Sequence, residues 1–122
     1  MAAVARAFDQ AASGAVSGAA IDTEHLARMT LGEQSLQREV LALFDRQADI
    51  LLPRIRQGVP AMAAASAHTL KGSAVGIGAF KVARAVEQVE QAQDAAIAAA
   101  VDTLAAMLEE AKAEIARLLK AA

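Results

Sequence analysis

The sequence predicts an all-α fold: an antiparallel four-helix bundle with one or two short extra N-terminal helices. Three observations carry that expectation. Of the 122 residues, 56% are apolar, 34 are alanine, only 2% are aromatic and none is cysteine. Helix-forming Ala, Leu, Glu, Gln and Arg dominate, whereas the β-branched and aromatic residues that a sandwich or barrel needs are sparse. Apolar residues recur at three- and four-residue intervals in four separate stretches. Short turns carrying Gly, Pro or Asp separate these stretches, so consecutive helices should run antiparallel and pack at roughly 20°. The length suits one domain, large enough to bury a core without metal or disulfide staples.

The elements follow in chain order. Residues 1–20 are rich in Ala, Ser and Gly; Val4, Phe8 and Ala11 or Ala12 stand at helical spacing, and Gly14, Ser17 and Gly18 loosen the segment into a linker. The bundle is expected over residues 21–122. Asp22 or Thr23 caps a helix of one to two turns through Leu26 and Met29. Thr30 and Glu33 have capping-box spacing before the next run. From Glu33 to Gln57 the stripe is Leu36, Val40, Leu43, Phe44, Ala48, Leu51 and Ile55. Pro53 conflicts with it, because a proline inside a helix deletes one backbone bond and crowds the carbonyl of Asp49; a kink or an early end is expected. Gly58 and Pro60 mark a stop and a new start. The next stripe is Met62, Ser66, Leu70, Ala74 and Ile77, ended by Gly76 and Gly78. A helix over residues 79–93 turns Phe80, Ala83, Val86 and Val89 inward, and Asp94 caps a last helix carrying Ile97, Val101, Leu104, Leu108, Ala111, Ile115 and Leu118.

Composition removes most chemistries. Twelve basic against fourteen acidic residues give a net charge of −2, with a pI near 5.6. A nucleic-acid module would need a basic face and stacking aromatics. Without cysteine there is no thiol catalysis, Cys-ligated zinc, iron–sulfur cluster or disulfide. The longest apolar runs, such as Ala95 to Val101, fall short of the roughly 20 residues a spanning helix needs. Arg6 and Asp9 interrupt the only segment placed like a signal peptide. A soluble, cytoplasmic protein is expected, without a membrane partner.

Two histidines remain. His25, beside Glu24, reads as a solvated surface residue. His68 lies mid-helix in His68-Thr69-Leu70-Lys71-Gly72-Ser73. It is rotated about 200° from the core residue Leu70 by the helix pitch, and so faces solvent. Its neighbours at three and four residues are Ala64, Ala65, Lys71 and Gly72. A mid-helix glycine costs about 1 kcal/mol relative to alanine. Clearance is a reason to accept that cost, since a missing Cβ one turn beyond the ring lets another surface approach. Lys71 disfavours imidazolium and would stabilise negative charge delivered to the ring, as in phosphoryl transfer. From the residues alone, an ordinary exposed histidine beside a tolerated glycine stays open as the alternative.

The run His68-Thr69-Leu70-Lys71-Gly72-Ser73-Ala74, followed by Ile77-Gly78-Ala79, resembles the signature of the histidine-containing phosphotransfer (HPt) domains of bacterial phosphorelays. The helix around Val40-Leu41-Ala42-Leu43-Phe44 fits the same pattern, which extends over residues 21–91 and in general character through the closing helix. The resemblance implies that His68 carries the phosphoryl group, usually on Nε2, that Lys71 is the cation beside it, and that Gly72 opens room for the partner. It implies receiver domains of response regulators and a hybrid sensor histidine kinase as partners, the phosphoryl group arriving from one receiver aspartate and leaving to another. Such domains generally lack an ATP site, and no Gly-rich phosphate loop is present. No metal or cofactor bound by this chain is expected; the Mg2+ for transfer belongs to the receiver. Gly76 departs from the pattern and should shorten the His helix or leave its last turn mobile.

A turn near Ile77 brings Arg84, Glu87, Gln88 and Gln91 level with His68, either as a solvated polar face or as residues that bond the imidazole and rim the receiver contact. Ala61, Ala64, Ala65 and Val75 are expected to form the apolar centre of a small, transient interface on a monomer. The rival readings are a helical adaptor or inhibitor that docks on a receiver or kinase without phosphotransfer, and an oligomerisation unit built on the last helix. Turnover of a substrate of its own is disfavoured, because one histidine without a positioned acid partner is a poor general catalyst.

Overall fold

A computed structural model describes residues 19–121; the helix and linker expected in the N-terminal segment lie, through Gly18, outside the described residues. These residues form five helices: α1 (Thr23–Met29), α2 (Gln34–Gln57), α3 (Pro60–Ile77), α4 (Phe80–Gln91) and α5 (Ala96–Ala121). The four long helices close a ring in which α2 and α4 each pack against both α3 and α5, while α1 lies against α3. Phe44, Leu70, Val82, Val86, Leu104, Leu108 and Ile115 are sealed at its centre.

Helix α1 begins at Asp22, whose Oδ1 accepts the His25 backbone N–H at 3.1 Å. It ends at Thr30, whose buried hydroxyl donates to the Leu26 carbonyl at 2.8 Å. Thr30 therefore closes α1 and does not open α2, contrary to the capping-box spacing. The turn through Leu31 and Gly32, both at positive φ, intervenes, and Glu33 is the α2 N-cap without a side-chain bond.

The buried face of α2 is Leu41, Phe44, Ala48, Leu51 and Ile55. Leu36 and Leu43, expected in the core, stand exposed at its edge. Apolar residues cover more of the α2 surface than its two neighbours can bury, and the ring takes the arc centred on Phe44 and Ala48. Pro53 neither ends the helix nor sets its boundary; α2 continues to Gln57 and stops at Gly58. Lys112 of α5 ties α2 to the ring, with Nζ at 2.7 Å from Asp45 Oδ1 and 2.8 Å from Asp49 Oδ1.

Helix α3 starts with Pro60 in its first turn, where the missing N–H removes no intrahelical bond. Met62, one turn in, is 50% exposed and not part of the core; Ser66, Ala67, Leu70, Ala74 and Ile77 are buried. Gly76 lies inside the helix and neither shortens nor ends it; the terminator is Gly78 alone, at φ 84°. A Cβ on Gly78 would also sit 2.6 Å from the Asp22 carbonyl oxygen, and the Asp22 N–H donates to the Gly78 carbonyl at 2.9 Å. That close approach docks the start of α1 onto the α3–α4 turn. Helix α4 buries Phe80, Val82, Ala83, Ala85 and Val86, with Val89 half-buried against them.

Asp94 opens α5 differently from a side-chain cap. It adopts φ 54°, and its backbone carbonyl accepts the Ile97 N–H at 3.1 Å. Ile97 is 42% exposed, as is the whole first turn of α5 around it; the buried stripe runs from Val101 through Leu104, Leu108, Ala111 and Ile115. Among the described residues no helix is long and apolar enough to cross a membrane.

Candidate functional site

His68 is exposed at the middle of α3, two residues from fully buried Leu70. Anchoring by Leu70 and Ala74 fixes which face of α3 meets solvent, and the helix pitch places the imidazole there. Ala61, Ala64, Ala65 and Gly72 share that exposure, so apart from Lys71 the positions three and four residues from the ring carry only small side chains. A Cβ added to Gly72 would meet nothing within 4 Å. Nothing among the described residues requires glycine at this position, and the space it leaves open lies on the exposed face of the helix.

Lys71, three residues after His68, is half-buried and reaches α4, where its Nζ lies 3.2 Å from Glu90 Oε1. Spacing had singled out Arg84, Glu87, Gln88 and Gln91, all exposed on α4. The ion pair that crosses to the His helix comes from Glu90, which that reading passed over. A signal for it existed: folding the chain about Gly78–Ala79 sets Lys71 level with Val86, and Glu90 stands one turn beyond Val86 on the same face.

The second histidine corrects the sequence reading. His25 is not a solvated surface residue; it is half-buried, because α1 folds back over the α3–α4 turn. Its Nε2 lies 2.8 Å from the Val75 carbonyl oxygen, and its ring stands edge-on to Phe80 at 5.1 Å between centroids and 66° between planes. A carbonyl only accepts, so Nε2 carries the proton and donates it to Val75. That nitrogen is therefore committed as a donor and cannot take a phosphoryl group while α1 is docked, and the lone pair of the ring lies on Nδ1. Val75, expected at an exposed apolar centre, is half-buried against the core and bonded through its backbone to His25.

A second apolar surface lies on the α2 flank of the His helix. A groove of about 290 Å³ runs between α1, α2 and α3, lined by Met29, Leu36, Val40, Leu43, Ser73 and Gly76 among others. Met29 is 58% exposed, Leu43 49% and Ile50 54%. Leu36, Leu43 and Ile50 repeat every seven residues, a second apolar stripe on a helix whose first stripe already fills the core. Among the described residues no group of three or more His, Asp or Glu side chains could hold a metal ion.

Comparison with known proteins agrees with this geometry. The chain matches the Hpt domain family over residues 24–114. Among solved structures it is similar to a histidine phosphotransferase, ShpA from Caulobacter crescentus, at 30% sequence identity and a TM-score of 0.66, covering 80% of this chain and 88% of that one. A search of curated protein sequences finds no match. The family match spans the bundle from α1 into α5 and includes His68, Lys71 and Gly72; the chain belongs to the Hpt domain family.

Proposed function

We propose that this phosphorelay domain accepts a phosphoryl group on His68 from the phosphoaspartate of one receiver domain and relays it to the aspartate of another. The observation that carries the reading is the contrast between its two histidines. His25 has its Nε2 engaged by the Val75 carbonyl, whereas His68 presents an exposed ring bordered by Ala64, Ala65 and the open space at Gly72. In the forward step the P–O bond of the acyl phosphate breaks, an N–P bond forms at Nε2 of His68, the receiver carboxylate is regenerated and the ring proton passes to solvent. Lys71 offsets part of the added negative charge. The Mg2+ for this chemistry would be held by the receiver, and the chain acts as a phosphocarrier without its own ATP site.

The receiver would dock over Ala61, Ala64 and Ala65 and into the groove of Met29, Leu36 and Leu43. Arg84, Glu87, Gln88 and Gln91 would edge the contact on the α4 side. A relay requires release after each transfer, which favours a small, transient interface on a monomeric chain. The phosphodonor would be a hybrid sensor histidine kinase acting in the cytoplasm through its receiver.

The test is label transfer from a phosphorylated receiver to the wild type, His68→Gln and His25→Gln. Label is expected on the wild type and on His25→Gln, to be stable in alkali and lost in acid, and to be missing from His68→Gln. Label retained on His68→Gln would overturn the assignment, and a receiver that binds tightly without transferring would favour an adaptor.

A further inference from the structure

The ion pair between α3 and α4 has no part in the reading above, and its position beside the acceptor suggests one. Lys71 follows His68 by three residues, the spacing at which helical side chains are neighbours. Its ammonium is nevertheless placed on Glu90 of α4, 3.2 Å away, with side-chain exposures of 31% for Lys71 and 33% for Glu90. A four-carbon stem allows the head group to swing between a carboxylate on α4 and an anion on the His68 ring.

We propose that Glu90 is a positioning residue: it holds Lys71 in the unphosphorylated chain and surrenders it to the phosphoryl group on His68, setting how strongly this domain retains phosphate. The inference rests on His68 being the acceptor. The two states differ in charge. At rest one carboxylate neutralises one ammonium, so the imidazole feels little of the lysine's positive field. After transfer a group of about two negative charges stands beside Lys71 and outbids a single carboxylate. A pair this exposed is weak enough to exchange. Glu90 therefore lowers the affinity of the site for phosphoryl without touching it, which suits a carrier that must hand its cargo on.

The experiment uses phosphoramidate as a small phosphoryl donor, so that receiver docking does not enter. Its P–N bond breaks, an N–P bond forms on His68, and the ring proton leaves with ammonia. Two quantities are read: the phosphorylated fraction at fixed donor, and the lifetime of phosphohistidine after the donor is removed. Glu90→Gln should raise both by about two- to fivefold at low salt, the range expected for a partly exposed pair. The gain should vanish at about 1 M salt, where the screening length falls to about 3 Å. It should also vanish when Lys71→Ala is combined with Glu90→Gln. Glu110→Gln removes the same charge from a different pair, Lys81–Glu110 at 3.1 Å, and should behave as wild type. Equal values for Glu90→Gln and wild type, a gain that survives Lys71→Ala, or the same gain in Glu110→Gln would each overturn the proposal while His68 still takes label. If the wild type takes no label on His68, the acceptor assignment fails, and this inference falls with it.

Discussion

Gly72 offers a perturbation whose effects on stability and on function should have opposite signs. It sits in the interior of α3, where glycine is worse than alanine by about 1 kcal/mol. A Cβ there meets nothing within 4 Å, so the chain gains helix propensity without a clash. For a domain of about 100 residues, a gain of about 1 kcal/mol raises the melting temperature by about 4–8 °C. Gly72→Ala should therefore melt higher than wild type by that amount when followed by far-ultraviolet circular dichroism, and Gly72→Leu should also be more stable. Phosphotransfer should move the other way, because the added side chain stands one turn beyond His68 in the space the partner must enter. A misplacement on the order of 1 Å between reacting groups costs about a hundredfold in rate. A leucine side chain intrudes further than that, so Gly72→Leu should lose at least that factor in rapid-quench transfer from a phosphorylated receiver, with Gly72→Ala between it and wild type. Gly78→Ala is the matched control for stability: at φ 84° and 2.6 Å from the Asp22 carbonyl oxygen, its new methyl should destabilise the domain by about 1–2 kcal/mol from the left-handed backbone alone, and by more once the clash is added. Wild-type transfer rates in Gly72→Leu would refute the clearance argument, and a lower melting temperature for Gly72→Ala would refute its structural premise.

Two further outcomes follow from the same geometry. Leu43→Glu places a charge on the exposed side of the α2–α3 groove; stability should change little, while affinity for the cognate receiver, measured by titration calorimetry, should fall about tenfold or more. Unchanged affinity would remove the groove from the docking surface. Lys112→Met tests the tie between α5 and α2. Partial burial works against the Lys112 charge, but its bonds to Asp45 and Asp49 outweigh that and raise its pKa above the ordinary lysine value. A raised value means that the stabilisation is complete below the unfolded-state pKa and is lost as pH rises through the folded-state one. The melting-temperature gap between wild type and Lys112→Met, equivalent to about 1 kcal/mol at most, should be full at neutral pH and close in strongly alkaline buffer. A gap that persists there would assign the effect to packing of the lysine stem.

What the sequence by itself determined is whatever depends on neighbours within one helix. Periodicity delivered the four long helices and the outward direction of His68, because three- and four-residue spacing defines a face regardless of what packs against it. The short run around His68, Lys71 and Gly72 identified the family for the same reason, being local chemistry on one turn-and-a-half of helix. Only the tertiary structure decided which of two apolar stripes on α2 is the core. Leu41, Phe44 and Ala48 went inward while Leu36 and Leu43 stayed at the surface, since that choice belongs to α3 and α5 and not to α2. The fate of His25 was likewise out of reach. Its burial follows from Asp22 seating against Gly78, a contact between residues 56 positions apart, and nothing near His25 in the chain announces it. Thr30 and Asp94 were misread because a capping residue serves whichever end of a helix the turn geometry presents to it. Glu90 reached Lys71 for a related reason: a long side chain crosses between helices one turn away from the residue that is level with it. Local spacing thus singled out the residue proposed to carry phosphate, and the packing of distant segments decided what surrounds it.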